Sequence, residues 1–308
     1  MRNLKQSPKA ELKRNVTSRI LRGAYRKLKS ALRSMRRKLI FVFPEVSQRR
    51  VRQFLRYREQ LGKITRSCDL SLSIAIVVPC YKHGQYLRTM VTSIKSQTRP
   101  PDQVIFVDDH SPDATAQTLQ NLIEDWQPTT SSQIKLLRNE GNLGQTASLN
   151  RGIGLADTDL ILILNDDDYL LHDCVEVAVA LFECYPEIAL LGAHSLHFSG
   201  DDALWRLPKF VKEFVLLDEL ELDLRLPECV RTYHRYNDLN MTHSGSCFLK
   251  AAWRAVGGYF PDKRNRLVPQ SDRDFQLRVN ALFPVMLSNT VPFSCWRNDS
   301  SVDAGINS

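Results

Sequence analysis

Short apolar segments alternate with helical segments along residues 73–185, and this alternation constrains the fold more than any other feature of the chain. The apolar runs have the length of strands, and the stretches between them repeat apolar residues every three to four positions, as an amphipathic helix does. Apolar strands separated by helices are typical of a parallel sheet covered on both faces. We therefore predict an α/β fold with a Rossmann-like, mostly parallel sheet flanked by helices. The predicted strands are 73–78, 103–107, 134–137 and 160–164, and the predicted helices are 85–97, 113–126, 146–156 and 171–185.

Polar residues follow each predicted strand, at the sheet edge where ligands bind in such folds. We expect Pro79 to stop the first strand, because proline has no backbone N–H, and Asp113 to cap the second helix. No GxGxxG follows the first strand and no GxxxxGK[ST] occurs, so the sequence indicates neither a dinucleotide-binding motif nor a P-loop. The residues that should meet at this edge are Pro79, Cys80, Tyr81, Asp108, Asp109, Arg138, Asn139 and the run 165–168.

The segment LILILNDDDY (160–169) places three carboxylates at the end of an apolar strand. Asp166, Asp167 and Asp168 repel one another, and burying them unpaired is costly. A Mg²⁺ or Mn²⁺ ion would relieve this repulsion, and such ions commonly bridge carboxylates and substrate phosphates. A solvated turn with one helix-capping aspartate is the alternative, and turn formation is likewise the alternative for Asp108 and Asp109. The strand that precedes the run, together with the second acidic pair, favours ligand binding.

Several segments, taken in order, resemble the family 2 glycosyltransferases of the GT-A fold. They are VVPCYKHGQYLRTMVTSIKSQT, VIFVDDHSPDAT, NEGNLGQTASLNRGI and LILNDDDYLLHD, followed by HSGSCFLKAAWRAVGGYF and QSDRDFQLRV. The resemblance covers about 74–302. It implies metal-dependent, inverting transfer of a sugar from a nucleotide-sugar, expected to be UDP-linked, to a hydroxyl of a glycan or lipid-linked acceptor, as in bacterial surface polysaccharide synthesis. It also implies Mn²⁺ or Mg²⁺ as cofactor.

The resemblance assigns roles on the donor side. Pro79 and Tyr81 would line the nucleobase pocket, and Asp108 and Asp109 would hold the base and ribose. Gly144 would let the backbone approach the nucleotide, and Asn150 would fix the local helix. The family's Asp-x-Asp-Asp motif aligns with residues 165–168, so Asn165 replaces the first aspartate. It implies Asp167 as a metal ligand, with Asp166 and Asp168 supporting the sugar or the metal.

The resemblance also implies a catalytic base on the acceptor side. The family's Glu-Asp pair aligns with Ser271-Asp272, which makes Asp272 the expected base. An N-cap is the alternative role for Asp272, and Asp274 is a nearby alternative base, otherwise a helix-surface charge. Near the C-terminus, CWRNDSSV resembles the family's aromatic-Arg-x-His segment. It implies Asp299 as a further metal ligand and Arg297 as a contact of the diphosphate.

Charge divides the chain into two parts. Residues 1–70 contain 21 Lys/Arg and 4 Asp/Glu, whereas residues 71–308 contain 21 and 30, so a net +8 is the sum of +17 and −9. We predict a basic amphipathic helical arm (1–70) and a glycosyltransferase domain (71–308) with a nucleotide-sugar half (71–195) and an acceptor half (196–308).

The arm carries an apolar seam on a predicted helix of about 20 residues with basic flanks. Self-pairing as a coiled coil is disfavoured, because the seam spans fewer than three heptads and its basic flanks lack acidic partners. We expect residues 18–43 to bind an anionic membrane surface, with a partner protein or a disordered basic tail as alternatives. The protein is then expected to be cytoplasmic and peripheral on the inner face of the membrane. The seam residues are Leu21, Tyr25, Leu28, Leu32, Met35 and Leu39.

Composition disfavours several other classes. No run of 18 apolar residues occurs, and the first residues do not resemble a secretory signal. Seven scattered cysteines without a CxxC suit a reducing compartment and do not indicate a disulfide framework or a zinc site. The acidic body and the lack of a nucleic-acid motif predict no nucleic-acid partner. The functional alternative is a non-catalytic nucleotide-sugar-binding module of a larger complex, against which Asp272 weighs.

Overall fold

A computed structural model describes residues 71–198, 221–227, 239, 241–261, 270–289 and 291–298. The predicted arm, with its seam, and the predicted metal ligand Asp299 lie outside the described residues. The predicted boundaries between arm and domain, and between the two halves, stay predictions.

The described residues form a large mixed sheet and a small one. The described strands are β1 Ile74–Cys80, β2 Gln103–Asp108, β3 Gln133–Arg138, β4 Leu160–Ile163, β5 Tyr169–Leu170, β6 Leu190–Ala193, β7 Ser195–Phe198, β8 Leu222–Arg225, β9 Cys247–Leu249, β10 Val285–Ser288 and β11 Ser294–Arg297. In the large sheet the strand order is β3-β2-β1-β4-β9-β6-β10-β8, and β1 to β4 are mutually parallel. Strands β9 and β8 run antiparallel to their neighbours, and β5-β11-β7 form the small sheet. The predicted α/β class with a mostly parallel sheet is confirmed.

All four predicted helices are present, each beginning or ending within about three residues of its predicted bounds. The Asp113 cap was wrong by one residue: the N-cap is Ala114, and Asp113 accepts the backbone N–H of Thr115 at 3.1 Å. The described residues of the second half of the chain contain two further helices. The helices are α1 Leu87–Lys95, α2 Thr115–Trp126, α3 Gln145–Leu155, α4 Cys174–Cys184, α5 Lys250–Val256 and α6 Ser271–Leu282.

Pro79 does not stop the first strand, contrary to the prediction. Strand β1 continues through it to Cys80, and Pro79 lies opposite Val107 of β2. The pairing of β1 with β4 ends at Val77, so the N–H that proline lacks has no partner to lose on that side. The extra residues carry β1 to the edge of the sheet where the site lies.

The central strands are buried along their whole length, as strands covered on both faces should be. Helix α3 packs closely on β1 and β2 at Gly152, where a Cβ would lie 2.7 Å from Cγ1 of Val77 and 3.0 Å from Cγ2 of Val107. This packing fixes the beginning of α3 beside the ends of β1 and β2. Among the described residues, no helix is long and apolar enough to span a membrane.

Candidate active site

A cavity of about 710 Å³ lies at the edge of the sheet where β1, β2 and β4 end. Asp108 and Arg297 do not line it, although the sequence predicted that they bind the donor. The cavity is also lined by residues of the second half of the chain, among them Met241, Thr242, His243, Gln276 and Trp296. The predicted residues that do line it are Pro79, Tyr81, Asp109, Gly144, Asp166, Asp167, Asp168 and Asp272.

Asp109 shapes the loop at residues 139–144. Its carboxylate accepts the backbone N–H groups of Leu143 (2.8 Å) and Gly144 (2.7 Å) and the side-chain amide of Asn139 (2.7 Å). Gly144 has a φ of +86°, which favours glycine, and α3 begins directly after it. No atom lies within 4 Å of the position of a Cβ on Gly144. This wall of the cavity therefore leaves room for a ligand beside the backbone.

Asp108 is fully buried and pairs with protein groups. One carboxylate oxygen accepts the backbone N–H of Ser111 at 3.2 Å, and the other lies 3.2 Å from Nε of Arg138. These contacts join the ends of β2 and β3. The structure thus gives Asp108 the turn-forming role that the sequence left open as the alternative.

Asp166 is buried and bonds to the turn after β1. Its Oδ2 accepts the backbone N–H of Tyr81 at 2.8 Å, and its Oδ1 lies 2.8 Å from Nδ1 of His83. Burial raises the pKa of Asp166, while the hydrogen bond from His83 opposes this effect. Burial lowers the pKa of His83, but the hydrogen bond to Asp166 and the charges of Asp166, Asp167 and Asp113 together more than offset it, so the pKa of His83 is raised overall. The pair holds the turn after β1 against the acidic run.

Asp168 joins the acidic run to the second half of the chain. Its Oδ1 accepts the backbone N–H of Arg297 at 2.9 Å, and its Oδ2 accepts the hydroxyl of Ser244 at 2.5 Å. Burial, together with the charge of Asp167, raises the pKa of Asp168 to about 7, although the hydrogen bonds oppose the shift. Both oxygens of Asp168 are thus engaged by the protein itself.

Arg297 supports the acidic run from β11. Its guanidinium lies 4.0 Å from the ring centroid of Tyr86 and 4.5 Å from that of Phe198, and it is 3% exposed. Its Nε donates to the backbone carbonyl of Asp167 at 3.2 Å. Within the structure Arg297 fixes the position of the run, and its predicted contact with a diphosphate stays a prediction.

Asp167 differs from its neighbours. Its side chain is half-buried at the cavity, and within the described part of the chain its carboxylate has no hydrogen-bond or ion-pair partner. One ring nitrogen of His83 and one oxygen each of Asp166 and Asp167 lie within 4.8 Å of one another. This donor set could hold a divalent ion beside a substrate phosphate.

Asp272 brings a second carboxylate to the cavity, from the first turn of α6. The N-cap of this helix is Gln270, so the alternative role of Asp272 as N-cap is wrong. No described residue forms a hydrogen bond or ion pair with its carboxylate. Burial lowers the pKa of the adjacent His243, and the charge of Asp272 partly opposes this shift. Nε2 of His243 lies 3.1 Å from the Tyr259 hydroxyl. Asp272 is available to accept a proton from a ligand.

Asp274 is not the helix-surface charge that the sequence suggested. It is fully buried, and its Oδ2 accepts from Nε of Arg278 at 2.7 Å. Arg278 also donates to the backbone carbonyls of Val256 and Gly258. Asp274 and Arg278 therefore dock α6 on the segment after α5, which removes Asp274 as a candidate base.

Sequence reasoning missed several polar residues of the cavity, of which His83 and Gln276 bear most on its chemistry. His83 follows β1 by three residues, and the strand-end rule would have found it had the whole turn been considered. Gln276 lies one helical turn after Asp272, and its buried Nε2 has no hydrogen-bond partner among the described residues. An i, i+4 reading of α6 would have placed it beside the predicted base.

The Glycosyl transferase family 2 sequence model matches residues 75–250, so the chain belongs to that family. The amylovoran biosynthesis glycosyltransferase AmsB of Erwinia amylovora is 30% identical over 112 residues, which cover 36% of each chain. The chain spans little more than a third of the length of the curated relatives it matches.

Two solved structures of low identity share the fold. S. aureus TarS 1–349 in complex with UDP-GlcNAc has a TM-score of 0.53 and 17% identity, covering 75% of this chain and 60% of that one. Mannosyltransferase PcManGT from Pyrobaculum calidifontis, in complex with GDP-Man and Mn²⁺, has a TM-score of 0.50 and 14% identity, covering 86% and 68%. At these identities the likeness concerns the fold alone, and it confirms the predicted GT-A type.

Proposed function

We propose that the chain is a metal-dependent, inverting glycosyltransferase that moves a sugar from a nucleotide-sugar to a hydroxyl of a glycan or lipid-linked acceptor. One observation carries the proposal: the carboxylates of Asp167 and Asp272 reach one cavity from the two halves of the chain, and neither has a hydrogen-bond or ion-pair partner among the described residues. The Asp167 carboxylate suits binding of a metal ion, and the Asp272 carboxylate suits removal of a proton from the acceptor hydroxyl. A binding module would need only the first.

The donor side fits a nucleoside diphosphate with Mn²⁺ or Mg²⁺. Asp167 would hold the ion, which would stabilise the charge on the departing diphosphate. The wall formed by Tyr81, Asp109 and Gly144 would bind the nucleoside. The complexes of TarS with UDP-GlcNAc and of PcManGT with GDP-Man and Mn²⁺ support this class of donor, and we favour UDP.

On the acceptor side, Asp272 would remove the proton of the attacking hydroxyl, which contributes roughly 10²–10⁴ to the rate of such reactions. Attack from the face away from the diphosphate inverts the anomeric carbon. The similarity to AmsB supports an acceptor in bacterial surface polysaccharide synthesis. Binding of residues 18–43 to an anionic membrane would concentrate the enzyme where lipid-linked acceptors are present, at the cytoplasmic face.

The test is incubation of the full chain with a panel of nucleotide-sugars and Mn²⁺, measuring released nucleoside diphosphate and the anomeric configuration of the product. We expect release with one donor class, loss of release on chelation of the metal, and inversion. Binding of a nucleotide-sugar without turnover for any donor and acceptor would favour the non-catalytic alternative. A product of retained configuration would contradict the mechanism.

A further inference from the structure

His83 has two ring nitrogens in different surroundings. Its Nδ1 lies 2.8 Å from Oδ1 of Asp166, whose Oδ2 already accepts the backbone N–H of Tyr81. An ionised carboxylate can only accept hydrogen bonds, so Nδ1 carries the proton of this contact. In the neutral ring, Nε2 then has a free lone pair.

The second nitrogen, Nε2, is buried and has no hydrogen-bond partner among the described residues. The side chain is only 6% exposed, yet it lines the cavity. A buried polar atom without a partner costs about 1–3 kcal/mol, which a ligand at that atom would relieve. His83 belongs, through one of its ring nitrogens, to the same cluster as Asp167, whose carboxylate also lacks a partner in the described chain.

We propose that Nε2 of His83 is a direct ligand of the divalent ion, beside Asp167, and that Asp166 is a positioning residue that orients the imidazole. This inference rests on the proposed function and reassigns Asp166, which the sequence placed among the donor-binding residues. A metal-bound histidine commonly donates its other N–H to a carboxylate, which fixes the tautomer and ring orientation. The contact between Asp166 and His83 has this form.

The ligand set also has a consequence for the choice of metal. Mg²⁺ prefers oxygen ligands throughout, whereas transition-metal ions accept imidazole nitrogen. The site should therefore bind Mn²⁺ more tightly than Mg²⁺. His83→Gln should reduce the preference for Mn²⁺ over Mg²⁺, because it replaces the imidazole nitrogen by an amide oxygen.

Pulsed EPR of bound Mn²⁺ tests the proposal without relying on turnover. The full chain, with histidine labelled by ¹⁵N or unlabelled, is mixed with Mn²⁺ and UDP at about pH 8, because an imidazole must be neutral to bind a metal ion. We expect hyperfine coupling between Mn²⁺ and nitrogen that changes with the isotope and is lost in His83→Gln. The coupling should persist in His172→Gln, because His172 does not line the cavity. Asp166→Asn should keep the coupling but weaken Mn²⁺ binding about 10- to 100-fold.

The outcomes separate this inference from the proposed function. If the unchanged protein binds Mn²⁺ with UDP but shows no histidine coupling, the inference alone is overturned. His83 would then contact the phosphates or only the protein. Coupling that persists in His83→Gln also overturns it. Failure of the unchanged protein to take up Mn²⁺ with any nucleoside diphosphate overturns the proposed metal dependence, and the inference falls with it.

Discussion

Asn150 and Tyr259 exchange two hydrogen bonds that join the two halves of the fold. The Asn150 side-chain amide donates to the Tyr259 carbonyl at 2.8 Å, and its Oδ1 accepts the Tyr259 backbone N–H at 2.9 Å. Nε1 of Trp253 donates to the same Oδ1 at 3.0 Å. Helix α3, which begins at the donor side of the cavity, is thereby fixed to the segment after α5, on which α6 with Asp272 docks through Arg278.

Asn150→Ala should lower the free energy of unfolding by about 1–3 kcal/mol, because it leaves partly buried backbone groups of Tyr259 unpaired. Denaturant unfolding measures the change. Asn142→Ala, in the exposed part of the loop before α3, is the control and should have a much smaller effect. Equal stability of the Asn150 variant and the unchanged protein would show that water replaces these bonds at no cost.

Two glycines of α3 should respond oppositely to alanine. Gly152→Ala places a methyl group 2.7 Å from Val77, so overpacking should destabilise the protein by about 1–3 kcal/mol. Gly154 is exposed and has no atom within 4 Å of a Cβ position, so Gly154→Ala should stabilise by up to about 1 kcal/mol. Thermal unfolding of the two variants compares them, and a stabilising Gly152→Ala would refute the close packing of α3 on β1.

Periodicity predicted the central strands and helices because their patterns are local. It did not predict that β1 runs through Pro79, since that depends on where the neighbouring β4 ends. The strand-end rule gathered the aspartates that follow β2 and β4, but it could not tell which carboxylates were free. The pairs Asp166–His83 and Asp274–Arg278 are contacts of side chains, and only the packed structure shows that they occupy the carboxylates of Asp166 and Asp274.

Asp272 and Asp274 should give different kinds of variant. Asp272→Asn should fold and bind the donor normally but lose transfer to the acceptor by at least about a hundredfold. Asp274→Asn should weaken its buried pairing with Arg278 and destabilise the protein, by up to about 3–5 kcal/mol. We would measure turnover, donor affinity and the free energy of unfolding for both variants. Near-normal turnover of Asp272→Asn would exclude Asp272 as the base.

The basic arm should bind anionic vesicles. We expect the full chain to co-sediment with vesicles that contain anionic lipid at low salt and to be released partly at high salt, because the charge attraction is screened. Changing Arg33, Arg36 and Arg37 to Glu should weaken sedimentation while leaving donor binding intact. Neutral vesicles are the control. If the full chain does not co-sediment with anionic vesicles, binding of a partner protein is the better explanation of the apolar seam.

The central claim is that Asp167 binds the metal ion with which the nucleoside diphosphate is held. Calorimetric titration of UDP into the full chain, with and without Mn²⁺, tests it most directly. We expect Mn²⁺ to strengthen binding and Asp167→Asn to abolish that gain while leaving the fold intact, as circular dichroism would show. Asp125→Asn, on the exposed face of α2, should behave like the unchanged protein. An Asp167→Asn variant that binds UDP with the same Mn²⁺-dependent affinity as the unchanged protein would contradict the account.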